Sequence, residues 1–202
     1  MVPAFPPKYD YRLRSATPAD IPALNDMISL SVRTLHKPFY SDDIIDSAMK
    51  YVYGADTQLI SDETYFLIEA FPSQSSDLES AMVAAGGWSF RSTLYGGDQF
   101  SDRDPAPLNP EIDAAKLRAM FVHPSFTRQG LANLMLAKCE GEAKKKGFKR
   151  LEFGATYAGI PFYEKAGYVR LKEVGEGGEG RCDKVMKDGR RLELAKMGKS
   201  FE

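Results

Sequence analysis

The chain has 202 residues, 43% of them hydrophobic and 27% charged, with a formal net charge of -1. This is a globular balance with enough length for a sizeable core, and it excludes a disordered chain. The near-neutral charge argues against a general nucleic-acid binder, and no apolar run is long enough to cross a bilayer, so neither nucleic acid nor membrane is an expected partner.

The opening segment, residues 1–10, lacks an apolar stretch after a basic start and does not read as a secretory signal; its prolines suggest an extended arm. Tyr11 to Ala16 reads as a first strand. Thr17-Pro18-Ala19-Asp20 then carries the marks of a helix start: a capping Thr, Pro at the first helical position and an acid three residues after the cap. Ile21, Leu24, Ile28 and Leu35 follow at near-helical spacing until Pro38 breaks it. A second helix begins at Ser41, with Ile44, Ile45, Ala48 and Met49 on its apolar side. Asp42, Asp43 and Asp46 either favour the helix dipole or draw a cationic ligand. Tyr65 to Ala70 and Met82 to Phe90 are two short apolar runs that suit a hairpin across a polar turn, Pro72 to Glu79. Gly96 to Asp113 has no periodicity and reads as a long functional or mobile loop.

Leu117 to Val122 is a strand candidate ending in His123-Pro124. A turn and a helix from about Leu131 to Lys146 follow, with Leu131, Met135, Cys139 and Ala143 on an i, i+4 stripe. Gly147 suits the left-handed stop. Leu151 to Ala155 is a strand, Ile160 to Lys165 a short helix ended at Gly167, and Tyr168 to Val174 another strand. Gly175 to Gly180 reads as flexible, and Arg191 to Met197 as a last edge strand. No repeat or linker divides residues 1–202, which read as one domain. Two cysteines, Cys139 and Cys182, form neither a disulfide framework nor a metal-ligand spacing, so no metal is expected and a reducing, cytoplasmic setting fits.

The chemistry concentrates at Thr127-Arg128-Gln129-Gly130-Leu131-Ala132. A helix start offers unpaired N–H groups and the positive dipole end, which together bind phosphate. Gly130 lets the backbone approach an anion, Ala132 keeps the next turn small, and Arg128 adds a charged donor.

This turn resembles the acetyl-coenzyme A site of the GNAT superfamily of N-acetyltransferases. Gly130-Leu131-Ala132 matches the second half of its pattern, whereas Thr127 stands at the position of an Arg or Gln. Phe121-Val122-His123-Pro124 resembles the family's preceding strand and its Val-x-Pro end, and Phe162-Tyr163-Glu164-Lys165-Ala166-Gly167-Tyr168 its Phe-Tyr-Glu-Lys-x-Gly-Phe segment. The resemblance implies a mixed α/β fold with a mostly antiparallel central sheet flanked by helices. It implies a cofactor site of Phe121, Val122, Arg128, Gln129, Gly130, Leu131, Ala132, Phe162 and Tyr163, with acetyl-CoA as cosubstrate. Phe121 and Val122 would hold the pantetheine arm, and Tyr163 would protonate the leaving thiolate. The expected function is acetyl transfer to an amine by direct attack in a ternary complex, with a small molecule as first choice. A protein N-terminus or lysine as acceptor, or a non-catalytic acyl-CoA-binding module, are the alternatives.

The strand before the turn offers no carboxylate where family members often carry a Glu. Asp113, Asp98, Glu152 and His123 are the substitutes for a base, although His123 reads mainly as a turn residue and His36 as a helix-end residue. Cys139, on the apolar stripe, reads as packing. The stretch from Trp88 to Asp98, an aromatic strand running into a glycine turn, is the candidate acceptor pocket. The sequence specifies neither the acceptor nor the oligomeric state.

Overall fold

A computed structural model of the chain describes residues 9–73, 80–172 and 180–201. The first half runs β1 (Tyr9–Ser15), a 3-10 turn (Pro18–Asp20), α1 (Ile21–Leu35), α2 (Asp42–Tyr51), α3 (Thr57–Ser61), β2 (Tyr65–Pro72) and β3 (Ala81–Ser89). The second runs β4 (Ala115–Val122), a 3-10 turn (Pro124–Phe126), α4 (Leu131–Lys145), β5 (Arg150–Ala155), α5 (Ile160–Lys165), β6 (Val169–Arg170), β7 (Lys184–Val185), β8 (Arg191–Leu192) and β9 (Ala195–Ser200).

Seven strands form one sheet in the order β1-β2-β3-β4-β5-β9-β6, and β7 and β8 form a separate ribbon. Every neighbouring pair in the large sheet is antiparallel except β4 and β5. Strand alternation sends side chains to opposite faces. Along β2, Phe66, Ile68 and Ala70 join the core under α4, while Tyr65 and Leu67 join the core under α1. The mostly antiparallel mixed fold expected from the sequence is therefore present.

Two local devices set the helices that matter. Asp20 accepts from the Thr17 backbone N–H at 2.8 Å and pairs with Arg14 at 2.7 Å, which starts α1. At the end of α4, Gly147 takes φ +93°, and the Phe148 N–H reaches back to the Ala143 carbonyl at 3.1 Å. This closes the helix end and turns the chain into β5. The stripe of Leu131, Met135, Cys139 and Ala143 is buried against the sheet.

The structure corrects several expectations. α3 has no counterpart in the sequence reading, because five residues give too little periodicity; Asp56 caps it by accepting from the Leu59 N–H at 3.3 Å. The last strand is not an edge. Residues 191–192 pair with β7, while Ala195–Ser200 lies between β5 and β6. Its Ala195, Met197 and Gly198 are buried, and a side chain at Gly198 would meet Leu171 Cδ1 at 2.7 Å and the Leu151 carbonyl at 3.1 Å. The segment from Gly96 to Asp113 forms no regular element but is anchored: Phe100 is buried and Arg103 pairs with Asp56 at 2.6 Å. β6 spans only Val169–Arg170 of the strand expected from Tyr168 to Val174. Residues 173–174, the start of the chain, most of the turn from Pro72 to Glu79, and 175–179 lie outside the described residues.

Candidate active site

β4 is bent by a bulge. Its register against β3 moves from Ala85↔Phe121 to Gly87↔Arg118, and Ala119 adopts a left-handed φ of +53°. One extra residue in a strand increases local twist and bends it away from its partners. On the other side β4 pairs with β5 only at Ala115↔Leu151 and Lys116↔Glu152. Beyond those pairs the two strands diverge, and residues 117–122 of β4 and 153–155 of β5 line a cavity of about 760 Å³. The cavity passes between the strands and so joins the α4 face of the sheet to the α1 face.

Its first end is the start of α4. Arg128 and Gly130 have φ of +60° and +85°, which turn the chain sharply into the helix. The first N–H bonded across the cap is that of Leu134, to the Gly130 carbonyl at 3.0 Å. The N–H groups of Leu131, Ala132 and Asn133 thus have no protein acceptor among the described residues, which is the normal state of a first helical turn. A Cβ placed on Gly130 would meet no atom within 4 Å, so the space in front of these donors is open. Free N–H groups, the positive dipole end and the nearby Arg128 together suit a phosphate.

Eight of the nine expected site residues converge on this cavity: Phe121, Val122, Arg128, Gly130, Leu131, Ala132, Phe162 and Tyr163. Gln129 does not. Its side chain turns outward, where its Oε1 accepts from the Tyr11 hydroxyl at 2.5 Å. Tyr163 stands on α5 with its ring centroid 4.4 Å from that of Phe153 and 5.0 Å from that of Phe162. Burial pushes its phenol above the ordinary value, so at neutral pH it keeps its proton.

None of the proposed substitute bases lines the cavity. Asp98 accepts from the Thr57 N–H at 3.1 Å, Asp113 from the Asn109 N–H at 2.7 Å, and Glu152 pairs with Lys116 at 3.4 Å. The His123 Nδ1 accepts from the Ser125 N–H at 3.2 Å. Each is occupied in shaping a turn, a helix start or a strand pair. On β4, Arg118 is nearly enclosed; it donates to Asp56 at 2.6 Å and to the carbonyls of Thr93 and Gly96. Cys139 is fully buried, and desolvation raises its thiol, as expected of packing rather than of a nucleophile. Asp42, Asp43 and Asp46 form surface pairs with Lys37, Arg190 and Arg33.

The second end of the cavity gathers residues distant in sequence. His36, Phe39 and Tyr53 come from the α1–α2 region, Tyr95 from the loop after β3, and Leu192 and Leu194 from the end of the chain. His36 is 8% exposed, and burial alone lowers its pKa to about 4, so the ring is neutral at pH 7. The Tyr53 hydroxyl is buried without a hydrogen-bond partner. Of the expected acceptor stretch, Tyr95, Gly96 and Gly97 reach the cavity. Trp88 instead packs in the core against Phe90 and Phe148. His36 does end α1, as expected, but sequence reasoning did not place it or Tyr53 at the cavity; their only local signal is an aromatic-rich stretch on either side of α2.

Among the described residues no group of three or more His, Cys, Asp or Glu is placed to hold a metal ion, and no helix is long and apolar enough to cross a membrane.

A family model described as an acetyltransferase (GNAT) domain matches residues 110–180, the stretch that holds β4, the α4 turn and α5. Over that stretch the chain is similar to the GNAT acetyltransferases. GNAT structures share its fold across nearly the whole chain. The PaiA N-acetyltransferase of Thermoplasma acidophilum in complex with coenzyme A is 14% identical, with 95% of this chain and 99% of that one covered and a TM-score of 0.58. A GCN5-related N-acetyltransferase from Rhodopseudomonas palustris is 17% identical over 94% and 95%, with a TM-score of 0.61. The ribosomal-protein-S18-alanine N-acetyltransferase of Escherichia coli is 15% identical over 96% and 95%, with a TM-score of 0.52. At these identities the likeness is one of fold. No curated protein matches the sequence.

Proposed function

We propose that this chain transfers an acetyl group from acetyl-coenzyme A to the amine of a small molecule, by direct attack in a ternary complex. The observation that carries the proposal is the continuity of the cavity. One space runs from the free N–H groups of α4, through the β4–β5 opening, to the pocket at His36 and Tyr53. A phosphate-bearing donor held at the first end and an amine held at the second meet between the strands. The small aromatic pocket at the second end, lined by His36, Tyr53, Tyr95, Leu192 and Leu194, favours a small molecule over a protein chain. We also read residues 1–202 as one catalytic domain working in the cytoplasm.

The roles follow from the lining. Leu131, Ala132 and the Gly130 turn hold the pyrophosphate, with Arg128 adding a charge-assisted bond. Phe121 and Val122 offer the strand edge left unpaired by β5 to the pantetheine amides, and Phe162 packs beside them. The nitrogen–carbon bond forms as the carbon–sulfur bond breaks. Neither cysteine lines the cavity, Cys139 being enclosed in the core and Cys182 lying outside the lining, so direct attack needs no acetylated thiol. Tyr163 holds its proton at neutral pH and gives it to the departing sulfur. The burial that raises the phenol raises the thiolate as well, so the transfer is not opposed by desolvation of the tyrosine alone.

Tyr163→Phe tests the proposal, since it keeps the ring contacts and removes only the proton. General acid catalysis contributes about 10²–10⁴-fold, roughly 3–5 kcal/mol of barrier. Thiol release should fall by that order while calorimetric binding of coenzyme A stays within a few-fold. Turnover near wild type, or joint loss of binding and turnover, would reject the general-acid role.

A further inference from the structure

We infer that the amine accepted at the second end of the cavity is a small aromatic amine whose nitrogen is uncharged at neutral pH, which rests on the acetyl-transfer reading above. The first ground is charge. Among the described residues no Asp or Glu lines the cavity. An aliphatic amine carries a proton at neutral pH, as lysine does with a pKa of about 10.4. An ammonium there would have no carboxylate beside it, so polyamines, aminosugars and lysine side chains suit the pocket less well than an uncharged amine. Acceptors bearing a carboxylate are equally ill-matched. The lining cations are Arg118, Arg128 and Lys165. Arg118 is turned to Asp56 and to two backbone carbonyls, and the other two belong to the α4 and α5 side.

The second ground is what the pocket does contain. Phe39, Tyr53, Tyr95, Leu192 and Leu194 present rings and aliphatic groups suited to a flat apolar body. The Tyr53 ring stands edge-on to Phe121 on the β4 bulge, with centroids 5.9 Å apart, so it reaches the point where the strands open. Two polar handles remain. His36 packs against the Tyr40 and Tyr53 rings and makes no side-chain hydrogen bond to the described residues. The Tyr53 hydroxyl is buried and unpartnered. A buried polar group without a partner is costly, and a ligand that supplies the partner removes that cost.

An aromatic amine meets these conditions together. Its lone pair is delocalised into the ring, so it enters unprotonated and needs no anionic partner. Its two N–H donors match a neutral imidazole nitrogen and a phenol oxygen. In the transfer, nitrogen bonds to the acetyl carbon, and sulfur departs with the proton of Tyr163. The proton lost from nitrogen passes to His36 and returns through water to the Tyr163 oxygen. The products are an N-aryl acetamide and coenzyme A, with no oxidant or reductant consumed.

The test measures thiol release by the full chain with acetyl-coenzyme A and equal concentrations of aniline, spermidine, L-lysine or a peptide with a free N-terminus. Coenzyme A binding is measured by calorimetry on the same preparation. We expect kcat/KM for aniline at least roughly tenfold above the others, the scale at which one well-made site contact discriminates. Preference for a cationic or peptide amine, or no release with aniline while coenzyme A binds, overturns the inference and leaves the donor site standing. Failure to bind coenzyme A overturns the acetyl-transfer reading and the inference with it. Tyr53→Phe provides an independent readout. The KM for aniline should rise about threefold or more, with the KM for acetyl-coenzyme A and the melting temperature unchanged or the latter raised, as a buried unpaired hydroxyl is lost. An unchanged KM for aniline removes Tyr53 as a handle and counts against the assigned acceptor.

Discussion

The two ends of the cavity are built in opposite ways. At the α4 end the proposed recognition elements are backbone N–H groups and a left-handed turn, contributed by residues adjacent in the chain. At the His36 end they are side chains, contributed by segments from residue 36 to residue 194. The first end is electropositive and open in front of Gly130. The second is aromatic and, among the described residues, holds no acid. A bound phosphate needs only the geometry that any helix start supplies, whereas a particular amine needs a pocket assembled by the whole fold.

The sharpest way to break this contrast is to titrate the second end. His36 has a pKa of about 4 against 6.5 in its ordinary state, with burial as the cause. The unfolded chain therefore binds a proton that the folded chain refuses. The stability from the neutral ring is whole above pH 6.5 and is lost as pH falls through that window toward 4, up to about 3 kcal/mol. Denaturant unfolding of wild type and His36→Gln across that range should show the two stability curves converging in acid by that order. A constant difference would mean that the His36 ring is open to water.

A smaller effect sharpens the first end. Arg128 holds φ +60°, a conformation that strains a residue with a side chain. Arg128→Gly should relieve about 1 kcal/mol and raise the melting temperature slightly. The same change removes a charge-assisted bond, so coenzyme A should bind roughly tenfold more weakly, about 1.4 kcal/mol. Opposite movement of stability and affinity separates the turn's geometry from its charge. Affinity that holds would assign the phosphate to the backbone donors alone.

The same contrast explains what the sequence disclosed. The α4 turn and the segment from Phe162 to Tyr168 are contiguous, and their glycines mark left-handed stops that other residues rarely take; Gly130, Gly147 and Gly167 all have positive φ. Strand alternation and the α4 stripe made the sheet and its helices legible for the same local reason. The bulge was not legible, because Ala119 takes φ +53° where a glycine would have announced the turn. Nor was the interior place of β9, which depends on β5 and β6 closing around it rather than on its own pattern. The direction of the Gln129 side chain was not legible either, because sequence adjacency to the turn does not say which way a side chain points; it faces Tyr11. His36 and Tyr53 come to line the cavity only when α1, the loop after β3 and the chain end meet.

The central claim is that the α4 turn holds the acyl donor, and one calorimetric titration of coenzyme A tests it most directly. A Trp at Gly130 would clash with no protein atom near its Cβ, since none lies within 4 Å, but it would fill the space before the free N–H groups. The strain of a left-handed residue is only about 1–2 kcal/mol, which a folded chain tolerates. Wild type should bind coenzyme A, and Gly130→Trp, shown folded by circular dichroism, should not bind it at all. Equal binding by the two proteins would contradict the site.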